Sequence, residues 1–152
     1  ALSEYRAKSM GFVFQAFNLL PVLSARENVE LPLVLAGVKA DAAREKAMEK
    51  LRQVGLVDWA DHNPNELSGG QIQRVAIARA LANDPAIVWA DEPTGNLDSE
   101  NTVQIMDLLC DLNESQGQTF VLVTHTPEVG SRTDRIVNMR DGLIESSAHV
   151  GS

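Results

Sequence analysis

Asp91 and Glu92 stand side by side at the end of a short apolar run, Ala86 to Ala90, which is too short for a helix and is stopped by Pro93. Carboxylates that end a buried parallel strand lie where such sheets bind ligands, beyond the carboxyl ends of the strands. Upstream, Leu67-Ser68-Gly69-Gly70-Gln71 precedes a helical run from Ile72 to Ala82. Ser68 followed by Gln71 at the third position forms a capping box, and the two glycines between them leave backbone N–H groups open to close approach. The positive end of the helix dipole sits there, so an anion is welcome. A capped helix that binds nothing explains this segment equally well. A further strand-like run, Thr119 to Thr124, delivers His125 to the same sheet edge as Glu92, although a lone histidine after a strand is more often structural.

The rest of the chain has to position these groups. Its 152 residues make one domain or a piece of one, and 44% hydrophobic with 22% charged residues is ordinary for a globular fold. A net charge of −8 argues against a nucleic-acid-binding surface. Cys110 is the only cysteine, falls in a helical segment and is read as a packing residue. The longest apolar run, Leu31 to Val38, is far below the ~18 residues of a spanning helix. No signal-peptide pattern opens the chain, so membrane association is expected only through a partner. His62, His125 and His149 are scattered without metal-site spacing.

In chain order, Leu2 to Ser9 reads as a short helix or turn leading into a strand, Met10 to Phe14, that ends at Gln15. After the apolar loop Phe17 to Pro21, Ser24 and Glu27 form a second capping box and start a helix that Pro32 should kink, with Gly37 at its end. Asp41 is expected to cap the next helix, whose apolar stripe is Ala43, Ala47, Leu51 and Val54, with Gly55 at its end. Asn83-Asp84-Pro85 stops the helix that follows Ser68. Asp98 or Ser99 caps a helix with Ile105, Leu108, Leu109 and Leu112 on one face, and Gly117 ends it. Thr119 to Thr124 reads as a second buried strand, and Trp89 as a residue packed under a helix. A helical turn spans Pro127 to Arg132. Asp141-Gly142 between alternating runs is a hairpin signal, with strands from Arg135 to Arg140 and Leu143 to Ser146, and disorder is expected from Ser147 onward.

Taken together, Leu67-Ser68-Gly69-Gly70-Gln71 and Ala86 to Thr94 resemble the signature loop and Walker B strand of the ABC (ATP-binding cassette) ATPases. Gln15 matches the Q-loop glutamine, Gly95-Asn96-Leu97-Asp98 the D-loop and His125 the switch histidine. The resemblance implies an α/β fold: a partial P-loop NTPase core with a parallel sheet, a small helical subdomain at about 16–83, core segments 1–15 and 84–146, a C-terminal β-hairpin and a tail at 147–152. It implies catalytic roles for Glu92, on the attacking water, and His125, on the γ-phosphate. It gives Mg²⁺ to Asp91 and Gln15, and nucleotide binding to Gln15, Ser68, Gly69, Gly70, Gln71 and Asp98. A hydrolytic water does need a nearby proton acceptor, and Mg²⁺ does prefer oxygen ligands.

The stretch between Gln15 and Leu67 has room for a compact helical insert and carries no sustained heptads, unlike DNA-repair and chromosome-maintenance relatives. Asn18-Leu19-Leu20-Pro21 and Glu27-Asn28-Val29-Glu30-Leu31-Pro32 are most similar to ATPase subunits of the lipoprotein-release and macrolide-export type. The implied partners are a transmembrane permease subunit, received on the Phe17 to Leu35 surface, and a second ATPase subunit in a head-to-tail homodimer, with no nucleic acid. The implied location is the cytoplasmic face of the cell membrane, held there by the permease. Plain packing of the insert accounts for the Phe17 to Leu35 side chains about as well.

No Gly-x-x-x-x-Gly-Lys-Ser/Thr occurs in the 152 residues, and Lys8, Lys39, Lys46 and Lys50 all lack a glycine loop. The sequence therefore reads as a truncated ATPase domain, expected to bind ATP and Mg²⁺ weakly or not at all by itself. The alternative is a non-catalytic remnant that serves as a binding or interaction module. With the phosphate-loop strand absent, the hairpin at Ile136 is expected either to dock beside the Phe120 strand or to leave sheet edges through which copies oligomerise.

Overall fold

In the computed structural model, which describes residues 10–15 and 17–150, the strands fall into two separate sheets. The segment Leu2 to Ser9 lies outside the described residues. Strands β1 (Met10–Phe14), β2 (Ile87–Asp91) and β3 (Thr119–Val123) form a parallel sheet in the order β1-β2-β3. Strands β4 (Arg135–Arg140) and β5 (Leu143–His149) form an antiparallel hairpin of their own. The helices are α1 (Ala25–Leu35), α2 (Ala40–Gln53), α3 (Gly69–Leu81), α4 (Ser99–Gln116) and the single turn α5 (Pro127–Gly130).

Local chemistry explains most boundaries. Ser24 accepts a hydrogen bond from the Glu27 N–H and Glu27 answers on the Ser24 N–H, the reciprocal box expected at the start of α1. Asn28, fully buried, accepts from the Leu20 N–H and donates to the carbonyls of Leu20, Leu23 and Ser24, so one side chain orders the whole preceding loop. Helix α2 starts two residues earlier than the Asp41 cap requires. Lys39 occupies the cap position with extended backbone, and Asp41 falls in the first turn, where its charge faces the helix dipole instead. Its stripe of Ala43, Ala47, Leu51 and Val54 is buried as the spacing demands. Gly117 ends α4 with φ +66°, a left-handed turn that only glycine makes without strain. Asp141 and Gly142, at φ +52° and +79°, make the two-residue turn of the β4–β5 hairpin.

Helices α1, α2 and α3 pack on one another, α3 lies across β1, and α4 lies against β3. The sheet face formed by Gly11, Val13, Val88 and Ala90 is thereby buried. Among the described residues nothing covers the opposite face, where register places Phe12, Trp89 and Val121 in one row. Trp89 is 39% exposed there and not packed under a helix. Strand β3 is an edge strand with every residue at least partly accessible, not the buried strand its composition suggests.

The hairpin does not dock on β3. Between the two, Val129 is buried and the Arg132 guanidinium donates to Asp107 of α4 at 2.7 Å, which carries the chain past α4 before β4 begins. Strand β5 runs to His149 with Val150 N–H bonded to Asp134 O at 2.8 Å, so the expected disorder does not set in at Ser147.

Lys46 and Lys50 of α2 both grip Asp84, the left-handed residue (φ +50°) between α3 and β2, at 2.6 Å each. Burial raises the Asp84 pKa, but the hydrogen bonds and charges of the two lysines outweigh it and hold the carboxyl below its usual range. A depressed folded-state pKa adds stability above the unfolded value and loses it as the pH falls through the folded value. Asp84→Asn, which tolerates the same backbone, is therefore expected to lower the urea midpoint at pH 7, with the difference from the parent chain closing below about pH 3 to 4.

Candidate functional site

The parallel register sets Phe14, Asp91 and Val123 level across the sheet, so the residues after them emerge at one edge. These are Gln15, Glu92 and the pair Thr124-His125. Asp91 ends β2 with an exposed side chain. Glu92 follows with φ +47°, its N–H held on Val123 O at 2.8 Å. A left-handed glutamate is strained by roughly 1–2 kcal/mol, and such residues cluster where a side chain must be aimed. The turn brings the Glu92 carboxylate over β3, where Oε1 accepts from the His125 N–H at 2.8 Å and Oε2 from the Thr124 hydroxyl at 3.5 Å. The His125 imidazole Nε2 lies 3.8 Å from the same Oε1, with its side chain 96% exposed. One partly buried carboxylate, braced from behind, thus faces solvent beside an open imidazole.

Gln15 is held from the other side. The Asn96 amide donates to Gln15 O at 2.8 Å and accepts from Gln15 Nε2 at 3.4 Å. Gly95 makes room, since a Cβ there would come within 2.6 Å of Gln15 Nε2. The Gln15 Oε1 accepts no bond among the described residues, and Gln15 directly follows Phe14, the register partner of Asp91. An amide oxygen and a carboxylate on adjacent strand ends suit a hard cation that takes one or two protein oxygens and completes its shell with ligand oxygens and water. Among the described residues no cluster of three or more His, Cys, Asp and Glu could make a closed metal cage.

Ser68 accepts from the Gln71 N–H at 3.2 Å and Gln71 accepts from the Ser68 N–H at 2.9 Å. Each side chain thus satisfies the other residue's backbone N–H, which leaves the Gly69 and Gly70 N–H groups as the unpaired donors of the first turn. Ser68 and Gly69 are exposed, while Gly70 packs so closely on Asn101 of α4 that any Cβ would overlap its amide. Asp98 caps α4 by accepting from the Asn101 N–H at 2.8 Å. The chain therefore gathers Gln15, Asp91, Glu92 and His125 at the sheet edge and sets the Ser68 to Gln71 turn apart on its surface. No hydrogen bond or ion pair joins that turn to Glu92 or His125 among the described residues.

Sequence reasoning passed over Gln73 and Arg79, and named Asn96 only as part of the D-loop match without giving it a role. Gln73 carried a signal, because Gly70, Gln73, Ile77 and Leu81 share one face of α3 and a glutamine on an otherwise apolar buried stripe calls for partners. Arg79 is more than half buried, and burial lowers its pKa below the usual arginine value.

A family model described as "ABC transporter" matches residues 2–95. The lipoprotein-releasing system ATP-binding protein LolD of Bacteroides thetaiotaomicron is 53% identical over 144 residues, 95% of this chain and 66% of that protein. The uncharacterized ABC transporter ATP-binding protein YknY of Bacillus subtilis is 54% identical over 143 residues, 94% of this chain and 62% of that protein. The chain thus spans somewhat less than two thirds of the length of these curated relatives. A solved structure described as a dimeric post-hydrolysis state of the ATP-binding cassette MJ0796 bound to ADP and Pi superposes with a TM-score of 0.83 at 47% identity, covering 99% of this chain and 67% of that one.

Proposed function

Because the chain belongs to the ABC transporter family of ATP-binding proteins, we propose that it forms the hydrolytic edge of an ATPase subunit that energises a membrane permease for export or lipoprotein release. The observation that carries this reading is the braced Glu92 carboxylate, aimed beyond the strand ends with His125 beside it. In this role Glu92 accepts the proton of the water that attacks the γ-phosphate of ATP. His125 contacts that phosphate, its imidazole open to solvent on the same side. Mg²⁺, when bound, would be held by Asp91 and the Gln15 amide oxygen and would neutralise phosphate charge.

The N–H groups of Gly69 and Gly70, with Ser68 and Gln71, close on the nucleotide of a second subunit in a head-to-tail dimer, and Asp98 lies at that same interface. Two features support the second copy. Among the described residues the Ser68 turn makes no bond to an acid of its own chain, and the structural neighbour is described as a dimer holding ADP and Pi. For the permease, the supporting feature is the apolar surface at the start of the helical subdomain, where Val22 is 82% and Leu35 79% exposed. A permease partner places the chain on the cytoplasmic side of the membrane, and no helix among the described residues is long and apolar enough to cross it. The bare edge of β3 remains a surface through which copies of this chain can oligomerise.

The 152 residues carry no glycine-rich phosphate loop, so the groups that grip the β- and γ-phosphates have to be added for a test. Joined upstream to a segment that carries a Gly-x-x-x-x-Gly-Lys-Ser/Thr phosphate loop, the chain is expected to hydrolyse Mg-ATP, whereas by itself it is expected to bind Mg-ATP weakly or not at all. Submicromolar binding by the 152 residues, or no hydrolysis by the joined and folded chain, would overturn the reading. Nucleotide-independent binding of a partner by a joined chain that does not hydrolyse would favour an interaction module.

A further inference from the structure

We propose that Gln73 and Arg79 of α3 are positioning residues that set where Gln15 stands, by gripping the β1–α1 connection on both sides of it. Gln73 is fully buried. Its Nε2 donates to Phe14 O at 3.5 Å, immediately before Gln15, and to Pro93 O, immediately after Glu92. Its Oε1 is buried without a partner, so the side chain is held by its donor end alone. On the other side of Gln15, the Arg79 guanidinium donates through Nη1 to Asn18 O at 2.7 Å and through Nη2 to Phe17 O at 3.1 Å.

The two carbonyls that Arg79 collects belong to consecutive left-handed residues, Phe17 at φ +62° and Asn18 at φ +55°. A bulky residue such as Phe17 does not hold that conformation unaided, so the surroundings have to impose it. A planar fork that binds both carbonyls at once does so, and a lysine ammonium lacks that geometry. Gln73 and Arg79 lie on one helix, and that helix begins at the Ser68 turn. Any displacement of the turn by a ligand therefore moves both grips together, and with them the strand end that carries Gln15. The functional weight of this link rests on the role proposed above for Gln15; the link itself does not.

Amide hydrogen exchange of the 152-residue chain tests the link without any measurement of hydrolysis. Arg79→Met and Gln73→Met keep the side-chain volume and remove the donors. Each is expected to raise exchange across residues 14–20 by roughly ten-fold, about the effect of one lost hydrogen bond on local opening, while α2 and the buried part of α4 keep their protection. Arg79→Lys should restore protection only in part. Uniform loss over the whole chain, or no change at 14–20, would overturn the inference. In the joined chain, the same variants should raise the Mg²⁺ concentration for half-maximal hydrolysis while the rate at saturating Mg²⁺ is largely kept. A lower saturated rate with an unchanged Mg²⁺ requirement would also count against it. If the joined chain does not hydrolyse at all, the exchange result still decides whether the grips exist.

Discussion

Glu92→Gln in the chain joined to a phosphate loop is expected to lower steady-state ATP hydrolysis by about 10²- to 10⁴-fold, the range for loss of a positioned proton acceptor. The substitution is nearly isosteric and the amide oxygen it introduces can still accept from the His125 N–H, so fold and nucleotide affinity should change little. What is lost is basicity, because an amide cannot take a proton from water near neutral pH. The expected signature is a fall in kcat with the KM for ATP nearly unchanged, together with ATP-dependent dimers that persist because the nucleotide between them is not consumed. Steady-state kinetics and size-exclusion chromatography with and without Mg-ATP check both halves. A variant that keeps more than about a tenth of the parent rate would remove Glu92 from the proton-transfer step.

The largest effect on stability is expected at a residue that touches no ligand. Gly11 of β1 faces α3, and a Cβ there would overlap the Ala80 carbonyl, a backbone atom that cannot swing aside. Gly11→Ala must push α3 off the strand, and overpacking of this kind costs roughly 1–3 kcal/mol. For a chain of this size that is a thermal midpoint lower by about 2–12 °C. Gly130→Ala is the control, since its added Cβ would meet only the Ile136 side chain at an ordinary 3.6 Å. Equal melting temperatures for the two variants would show that α3 does not press on β1 as described. Displacement of α3 should also disturb the Phe14 and Phe17 carbonyls that this helix holds.

Features of this fold that depend on neighbours in sequence were legible before any coordinates. The boxes at Ser24 and Ser68, the stripe from Ala43 to Val54 and the Asp141-Gly142 turn each involve groups a few residues apart, where residue type alone selects the geometry. Asp41 misled because a good capping residue two positions along still helps from the first turn, so composition did not fix the register. The place of β3 at an edge, and of Trp89 on an uncovered face, could not be read from the strands themselves. Burial of a strand depends on which other elements flank it, and apolar composition is the same either way. The site divides along the same line. Asp91, Glu92 and His125 stood out as chemistry at strand ends. Gln73 and Arg79 are defined by carbonyls some sixty residues away in the chain, and a carbonyl has no residue type to give it away.

With the role proposed for Glu92, its left-handed backbone places folding and chemistry in opposition at a single position. Glycine, and to a lesser degree asparagine or aspartate, adopts φ +47° with less strain, so selection for a robust fold alone would drift toward those residues. None of them can carry a carboxylate on the longer glutamate stem to the His125 N–H. Under the role proposed for Glu92, a substitution which hardens this protein against heat by relaxing residue 92 would do so by silencing it, the familiar tension between durability and turnover reduced to one dihedral angle.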